Sequence, residues 1–161
     1  MVVDIGEHLT HLGIFLHGTL FHSAVIPIGG AHFTRDLEIT KHLGGITASE
    51  RVKIRFGTVL HSQVPAEEAI ELEEEGRMVP RREIAEVLQA RAAELLNLVL
   101  AEMGRTGLMH EIHGGVHLVG GAPCSATCPS WPRPSSAGPG WCWAASRASS
   151  ACPRPPAIPS S

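Results

Sequence analysis

Three stretches of the sequence carry residue types at spacings that could do chemistry. In "DIGEHLTHLG", residues 4 to 13, Asp4 could hold a metal-bound water. Gly6 lets backbone approach a ligand, and the Thr10 hydroxyl could donate to a phosphate oxygen. In "TASERVKIRFG", Glu50 and Lys53 stand one helical turn apart. They could reach a ribose or base, or form a surface ion pair. In "GVHLVGG" a short apolar run ends in Gly120 and Gly121, where backbone either meets a ligand closely or simply turns. The histidines are a weaker set. His110, His113 and His117 lie in "HEIHGGVH", and His8 pairs with His11, but a zinc site holds its imidazoles on fixed elements with supporting partners. Gly114 and Gly115 separate His113 from His117, so these side chains read as solvated or helix-end residues.

The elements that must position these residues follow from hydrophobic period and punctuation. "MVVDI", then Gly13 to Leu16, then "HGTLFHSAVIPIG" read as strands with turns at His17-Gly18 and Pro27 to Gly30. Their close spacing predicts an antiparallel meander. From Thr34 the period becomes helical, with Thr34 as cap and Gly44-Gly45 as exit. A second helix starts near Thr47, three residues before Glu50 in capping-box spacing, and closes at Gly57. Residues 58 to 79 are polar and irregular, and "EEAIELEEEG" reads as a solvated strand edge or loop. Residues 80 to 107 predict a long amphipathic helix whose buried face is Ile84, Val87, Leu88, Leu95, Leu96, Val99, Leu100 and Met103. Pro80 suits its first position, and Gly104 or Gly107 its exit. "GVHLVGG" then reads as a buried strand. The fold class is α/β.

Composition divides the chain at Pro123. All 4 Cys, all 3 Trp and 9 of the 12 Pro lie in residues 123–161, whereas all 10 His and every Asp, Glu and Lys lie in residues 1–122. The first part holds 10 basic and 16 acidic residues, a formal charge of −6, which argues against a nucleic-acid footprint. No run of eighteen apolar residues and no signal-peptide pattern occurs, so the chain is expected to be cytoplasmic. A body of 122 residues can form one domain. The four cysteines are unevenly spaced among prolines and match no zinc pattern.

Taken in order, these pieces resemble the second half of the actin-like (ribonuclease-H-like) ATPase fold, and within it the FtsA family of bacterial cell-division proteins. "HSAVIPIGGAHFTRDLEI" is similar to the family pattern IPxGGxxxTxDIA, and "VVDIG" with "LGIF" to its second phosphate hairpin. "SERVKIRFG" is similar to the helix carrying adenosine contacts. "VPRREIAEVLQARAAELLNLV" is similar to the long helix leading to the adenosine motif, and "GVHLVGG" to that motif. The resemblance spans residues 1–122. It implies a partial actin-like fold, the second duplicated half only, with a mixed sheet and flanking helices. It also implies ATP and Mg²⁺ in a cleft, filaments formed by self-association, capture of the FtsZ tail and work beside other division proteins. Attachment through a C-terminal amphipathic helix, absent from this chain, would place the intact family at the cytoplasmic face of the inner membrane at the septum. Asp4, Gly6 and Thr10 would then lie near phosphates and metal, Glu50 and Lys53 near ribose and adenine, and Gly120-Gly121 under the adenosine. Where the family hairpin reads DIGGGTTD, this chain reads "DIGEHLTH". Glu7 adds a charge that repels phosphate, and Glu7 and His8 forbid the close approach glycine allows. With half of the cleft upstream of Met1, no catalytic residue is assigned. A non-catalytic interaction fragment and another actin-like protein, such as a pilus-assembly ATPase, are the alternatives.

The tail has a reading in the genetic code. Trp has one codon, so in the next frame Trp131-Pro132 gives Ala, Trp141-Cys142 gives Val and Trp143-Ala144 gives Gly. That frame permits LLRDLPELA over 123 to 132 and a GVVLG-like strand over 139 to 144, both similar to the family's continuation. A one-base deletion in the codons around Gly120 to Pro123 accounts for it. The residues as translated are expected to form a disordered Pro/Ser-rich tail that does not pack as a domain.

Overall fold

A computed structural model of the chain describes residues 1–72, 76–112, 115–121 and 141–143. Three strands open it: β1 (Val2–Ile5), β2 (Thr10–Leu16) and β3 (Thr19–Ile26). They pair antiparallel in sequence order, as the meander expectation requires. Helices α1 (Gly30–Lys41) and α2 (Ile46–Phe56) follow, then a small hairpin of β4 (Ala69–Glu71) and β5 (Met78–Pro80). The long helix α3 (Arg81–Thr106) returns the chain to β6 (Val116–Val119), which lies parallel to β1. β7 (Trp141–Trp143) adds a parallel edge strand, giving the mixed order β3-β2-β1-β6-β7.

Period two along the strands sends Val3, Ile5, Leu12 and Ile14 into the core and leaves Asp4 and His11 exposed on the opposite face. The core cluster joins those residues to Phe33 and Leu37 of α1 and to Ile84, Leu88, Ala92, Leu95, Val99 and Met103 of α3. The face expected for α3 is therefore the face it buries, with Val87 and Leu100 at its margin. Arg91 of α3 grips Asp36 of α1 through two nitrogens, one at 2.8 Å, and this bond raises the pKa of the guanidinium. Gly107, at φ +70°, ends α3, while Pro80 sits one residue ahead of its first turn.

Two helix starts differ from the sequence expectation, and both for a tertiary reason. Helix α1 begins at Gly30, not Thr34. Its first-turn donors are taken by carbonyls of the β1–β2 hairpin, so no side-chain cap is needed and Thr34 turns inward, 2% exposed. Helix α2 begins at Ile46, and Thr47 lies inside it. Its N-terminus is held by Glu38 of α1, which accepts from the Gly45 N–H at 3.1 Å and from the Ser49 hydroxyl at 2.7 Å. The Ser49 hydrogen bond is the chief cause that lowers the Glu38 pKa. Within the acidic run, Ile70 and Leu72 are buried, so part of a segment read as solvated edge or loop is a packed strand. Glu73 to Glu75 and His113 lie outside the described residues, as does all of the tail except Trp141–Trp143. Those three residues pair in parallel with the free edge of β6, whose backbone hydrogen bonds depend little on side-chain type.

Candidate functional site

Parallel β1 and β6 both run toward Ile5 and Val119, and in an open α/β sheet the crevice beyond carboxyl ends of parallel strands is where ligands are received. Asp4 is paired in register with Val119 on one side and with His11 on the other. A Cβ on Gly120 would stand 2.6 Å from Asp4 Oδ1 and 2.4 Å from the Ile5 carbonyl oxygen, so no side chain fits there. Gly120 also has φ +108°, a conformation glycine supplies at least cost. Gly121 follows directly, at the exposed end of the strand. Of the glycine pair, Gly120 makes its close approach to β1, whereas a Cβ on Gly121 would meet nothing within 4 Å.

Gly6 opens a tight turn, donating its N–H to the Leu9 carbonyl at 2.9 Å. The turn leans on α1: the Gly30 N–H donates to Gly6 O at 2.9 Å and the Ala31 N–H to Glu7 O at 2.7 Å. Gly29 makes this possible, since a Cβ there would lie 2.6 Å from Glu7 O. The glycine pair in "PIGG" was visible in the sequence as a turn, but its contact with a hairpin more than twenty residues upstream was not. Thr10, expected as a hydroxyl donor to phosphate, is fully buried and gives its proton to the Ile28 carbonyl at 2.7 Å. In this structure that hydroxyl joins the base of β2 to the β3–α1 corner.

Glu50 and Lys53 sit on the face of α2 turned toward α1. Lys53 is 9% exposed, and its Nζ donates to Gly30 O at 3.1 Å and to Thr34 Oγ1 at 2.8 Å while pairing with Glu50 Oε2 at 2.7 Å. Thr34 in turn donates to Glu50 Oε2. These contacts satisfy a buried ammonium that desolvation would otherwise penalise heavily. Glu50 is the member open to solvent, its side chain 43% exposed. Sequence reasoning missed Thr34 as part of this cluster by assigning it to a helix cap.

Of the seven residues selected from the sequence, Asp4 lies with Gly120 at the strand ends and Glu50 with Lys53 on α2, the two groups bridged by the Gly6 turn and the first turn of α1, while Thr10 is buried against Ile28 and Gly121 is exposed beyond the strand. Among the described residues no group of three or more His, Cys, Asp or Glu could hold a metal. Asp4 does present an exposed carboxylate beside a backbone cradle that a Cβ would fill, which suits a hydrated divalent cation carried by a ligand. A separate open groove of about 440 Å³ runs between α2 and β4, with Arg51 and Arg55 along α2 and Glu68 and Glu71 opposite. No described helix is long and apolar enough to cross a membrane.

Comparison with known proteins places this arrangement. The family profile described as "Cell division protein FtsA" matches residues 1–148. Curated proteins of that name are similar over about three quarters of the chain. The one from Pseudomonas aeruginosa is 37% identical over 124 residues, 74% of this chain and 30% of the relative. That from Escherichia coli K12 is 34% identical over 132 residues, 75% and 31%, and that from Bacillus subtilis 31% identical over 124 residues, 74% and 28%. The chain therefore spans about a third of the length of these relatives. Among solved structures, MreB5 of Spiroplasma citri bound to AMPPNP superposes with a TM-score of 0.56 at 22% identity, covering 74% of this chain and 40% of the other. A PilM–PilN type IV pilus biogenesis complex gives 0.57 at 19% identity, covering 80% and 30%. At these identities the likeness is one of fold, and that fold is actin-like.

Proposed function

The chain belongs to the FtsA family of cell division proteins, and from that premise we propose that residues 1–122 form one wall of an ATP-binding cleft in an actin-like protein of the division septum. The observation that carries the reading is the junction of Asp4 with Gly120 at the carboxyl ends of two parallel strands, linked through the Gly6 turn to Glu50 and Lys53. AMPPNP bound to an MreB of the same fold supports a nucleotide as the ligand. In this reading Gly120 and Gly121 pass under the adenosine, Glu50 meets the ribose hydroxyls, and Lys53 orients Glu50 from below. Asp4 would hold, through water, a Mg²⁺ whose charge offsets that of the phosphates. Thr10 contributes by fixing the hairpin rather than by touching phosphate. Glu7, exposed at the turn, lowers affinity by repelling the ligand, so binding is weaker than a glycine-rich hairpin would give.

Calorimetric titration of the chain with Mg·ATP tests this. Saturable binding is expected, weakened about tenfold or more by Asp4→Ala and by Glu50→Ala, each removing a charged hydrogen-bonding group. A heat trace with no saturation, or binding untouched by either substitution, would sink it.

A second reading rests on the groove between α2 and β4. Its paired rows of opposite charge over an apolar floor suit an extended peptide of mixed charge. We assign it to partner binding, with FtsZ as the partner that would be linked to the membrane at the septum, beside self-association into filaments. Retention of FtsZ without nucleotide, lost in Arg51→Glu, checks this arm. The tail belongs to the same proposal. What supports a one-base deletion near Gly120 to Pro123 is the break in composition there, together with the residues that the next frame forces or permits. Sequencing the genomic DNA through those codons decides it, since an additional base there restores the family's frame and its absence removes the idea.

A further inference from the structure

The two halves of the candidate site share a single peptide group. Lys53 Nζ donates to the carbonyl of Gly30 at 3.1 Å, and the N–H of that same peptide unit, belonging to Ala31, donates to Glu7 O in the β1–β2 turn at 2.7 Å. A cation on the carbonyl polarises the amide and strengthens its N–H as a donor, so the two hydrogen bonds reinforce each other. The preceding N–H, from Gly30, holds Gly6 O at 2.9 Å. Gly29 lets the two backbones meet, and any Cβ there would collide with both Gly6 O and Glu7 O at 2.6 to 2.7 Å.

Lys53 reaches that carbonyl because its other two protons are directed to fixed acceptors. An ammonium has three donors, and here they go to Gly30 O, Thr34 Oγ1 and Glu50 Oε2. Thr34 is the hinge of the arrangement: buried at 2%, its hydroxyl accepts from Lys53 and lies within donating distance of both Glu50 Oε2 and, at 3.2 Å, Gly30 O. No proton of Lys53 is left for a ligand. A ligand group that draws on Lys53 must therefore exchange one of these contacts, and the exchange acts on the Gly30–Ala31 peptide.

We propose that Thr34 is a positioning residue that sets Lys53 against the Gly30 carbonyl, so that the α2 cluster and the β1–β2 turn are tied through one peptide group and respond together to a ligand. The inference rests on the cleft reading above for the identity of the ligand, but the tie itself exists without one.

Amide hydrogen exchange of the full chain, followed by NMR without nucleotide, tests it. Thr34→Val keeps the shape and removes all three contacts of the hydroxyl, with Lys53, Glu50 and the Gly30 carbonyl. It is expected to speed exchange of the Ala31 and Gly30 amides about tenfold beyond the change at central α3 amides, because their acceptors in the turn are held less firmly. Thr34→Ser, which restores the hydroxyl, should return them to the original rates. Val99→Ala, a core change on α3, should raise all amides together. If Ala31 and Gly30 merely follow the α3 amides in Thr34→Val, or Ser fails to rescue, the proposal is overturned. Because the Thr34 hydroxyl also reaches Gly30 O directly, Lys53→Met, which removes the ammonium and leaves that hydroxyl, must speed the same amides by the same criteria whether or not Thr34→Val folds, and unchanged rates in it overturn the proposal. Because no ligand is present, loss of Mg·ATP binding removes the cleft reading and leaves this tie standing, whereas unchanged exchange removes the tie even in a chain that binds nucleotide.

Discussion

Gly120 shows how much of a site can depend on a missing side chain. Its φ of +108° and its position against the Ile5 carbonyl and the Asp4 carboxylate leave no room for a methyl group. Gly120→Ala is expected to destabilise the chain by about 2–4 kcal/mol, combining left-handed strain with overpacking against backbone. A urea unfolding midpoint at neutral pH measures this, and a loss below about 0.5 kcal/mol would mean that β6 can shift away from β1 without cost. The glycine itself was legible as a place of close approach. Its neighbour was not, because Asp4 lies more than a hundred residues away and meets it only through the parallel register of β1 with β6. Thr10 is the converse: its residue type suited a phosphate donor, but buried position gave its proton to Ile28.

At the scale of elements, the joint between α1 and α2 is made by Glu38, which serves as the missing cap of the second helix. A capping box read from Thr47 and Glu50 placed that function within one element, whereas the structure draws it from a neighbouring helix and uses Glu50 elsewhere. The Glu38 pKa is lowered, first by the Ser49 hydroxyl, so its folded value lies below its unfolded one. Its contribution is therefore present above the ordinary glutamate value near 4.3 and is lost as pH falls through the lower folded value. Glu38→Gln should reduce stability at pH 7 and make the acid limb of the stability profile less steep. Urea midpoints between about pH 7 and pH 3 provide the comparison, and parallel profiles for the two proteins would contradict it. Helix α3 was the most legible element, because its apolar period continues over 26 residues and needs no tertiary partner to be recognised.

Across the whole molecule the two faces of the sheet are unequal. One carries the core, while β2 and β3 leave Phe15, Leu20, Phe21 and Val25 about half exposed or more, at 48, 51, 63 and 56%. β3 is an edge strand in the sheet order and contains no Lys, Arg, Asp, Glu or Pro between Thr19 and Ile26. A one-residue bulge at its paired position with Ile14 and Phe15 is the irregularity along it. Unguarded apolar edges promote association between chains. Val25→Lys, placing a charge on the exposed face, should raise the monomeric fraction in sedimentation at least several-fold and leave the unfolding midpoint within about 0.5 kcal/mol of the original. An unchanged distribution would show that association, if present, uses another surface.

The sequence by itself determined the class of fold, the order of its main elements, the family, and the residues that could do chemistry, because hydrophobic period and glycine placement are local properties of the chain. Only the tertiary structure decided what those residues do for one another. Burial turned Thr10 and Thr34 inward, parallel pairing brought Gly120 to Asp4, and the packing of α2 on α1 supplied Lys53 with its acceptors. Each of these is a long-range contact whose hydrogen bonds must be satisfied where water is excluded, and that demand is set by the assembled fold rather than by neighbouring residues.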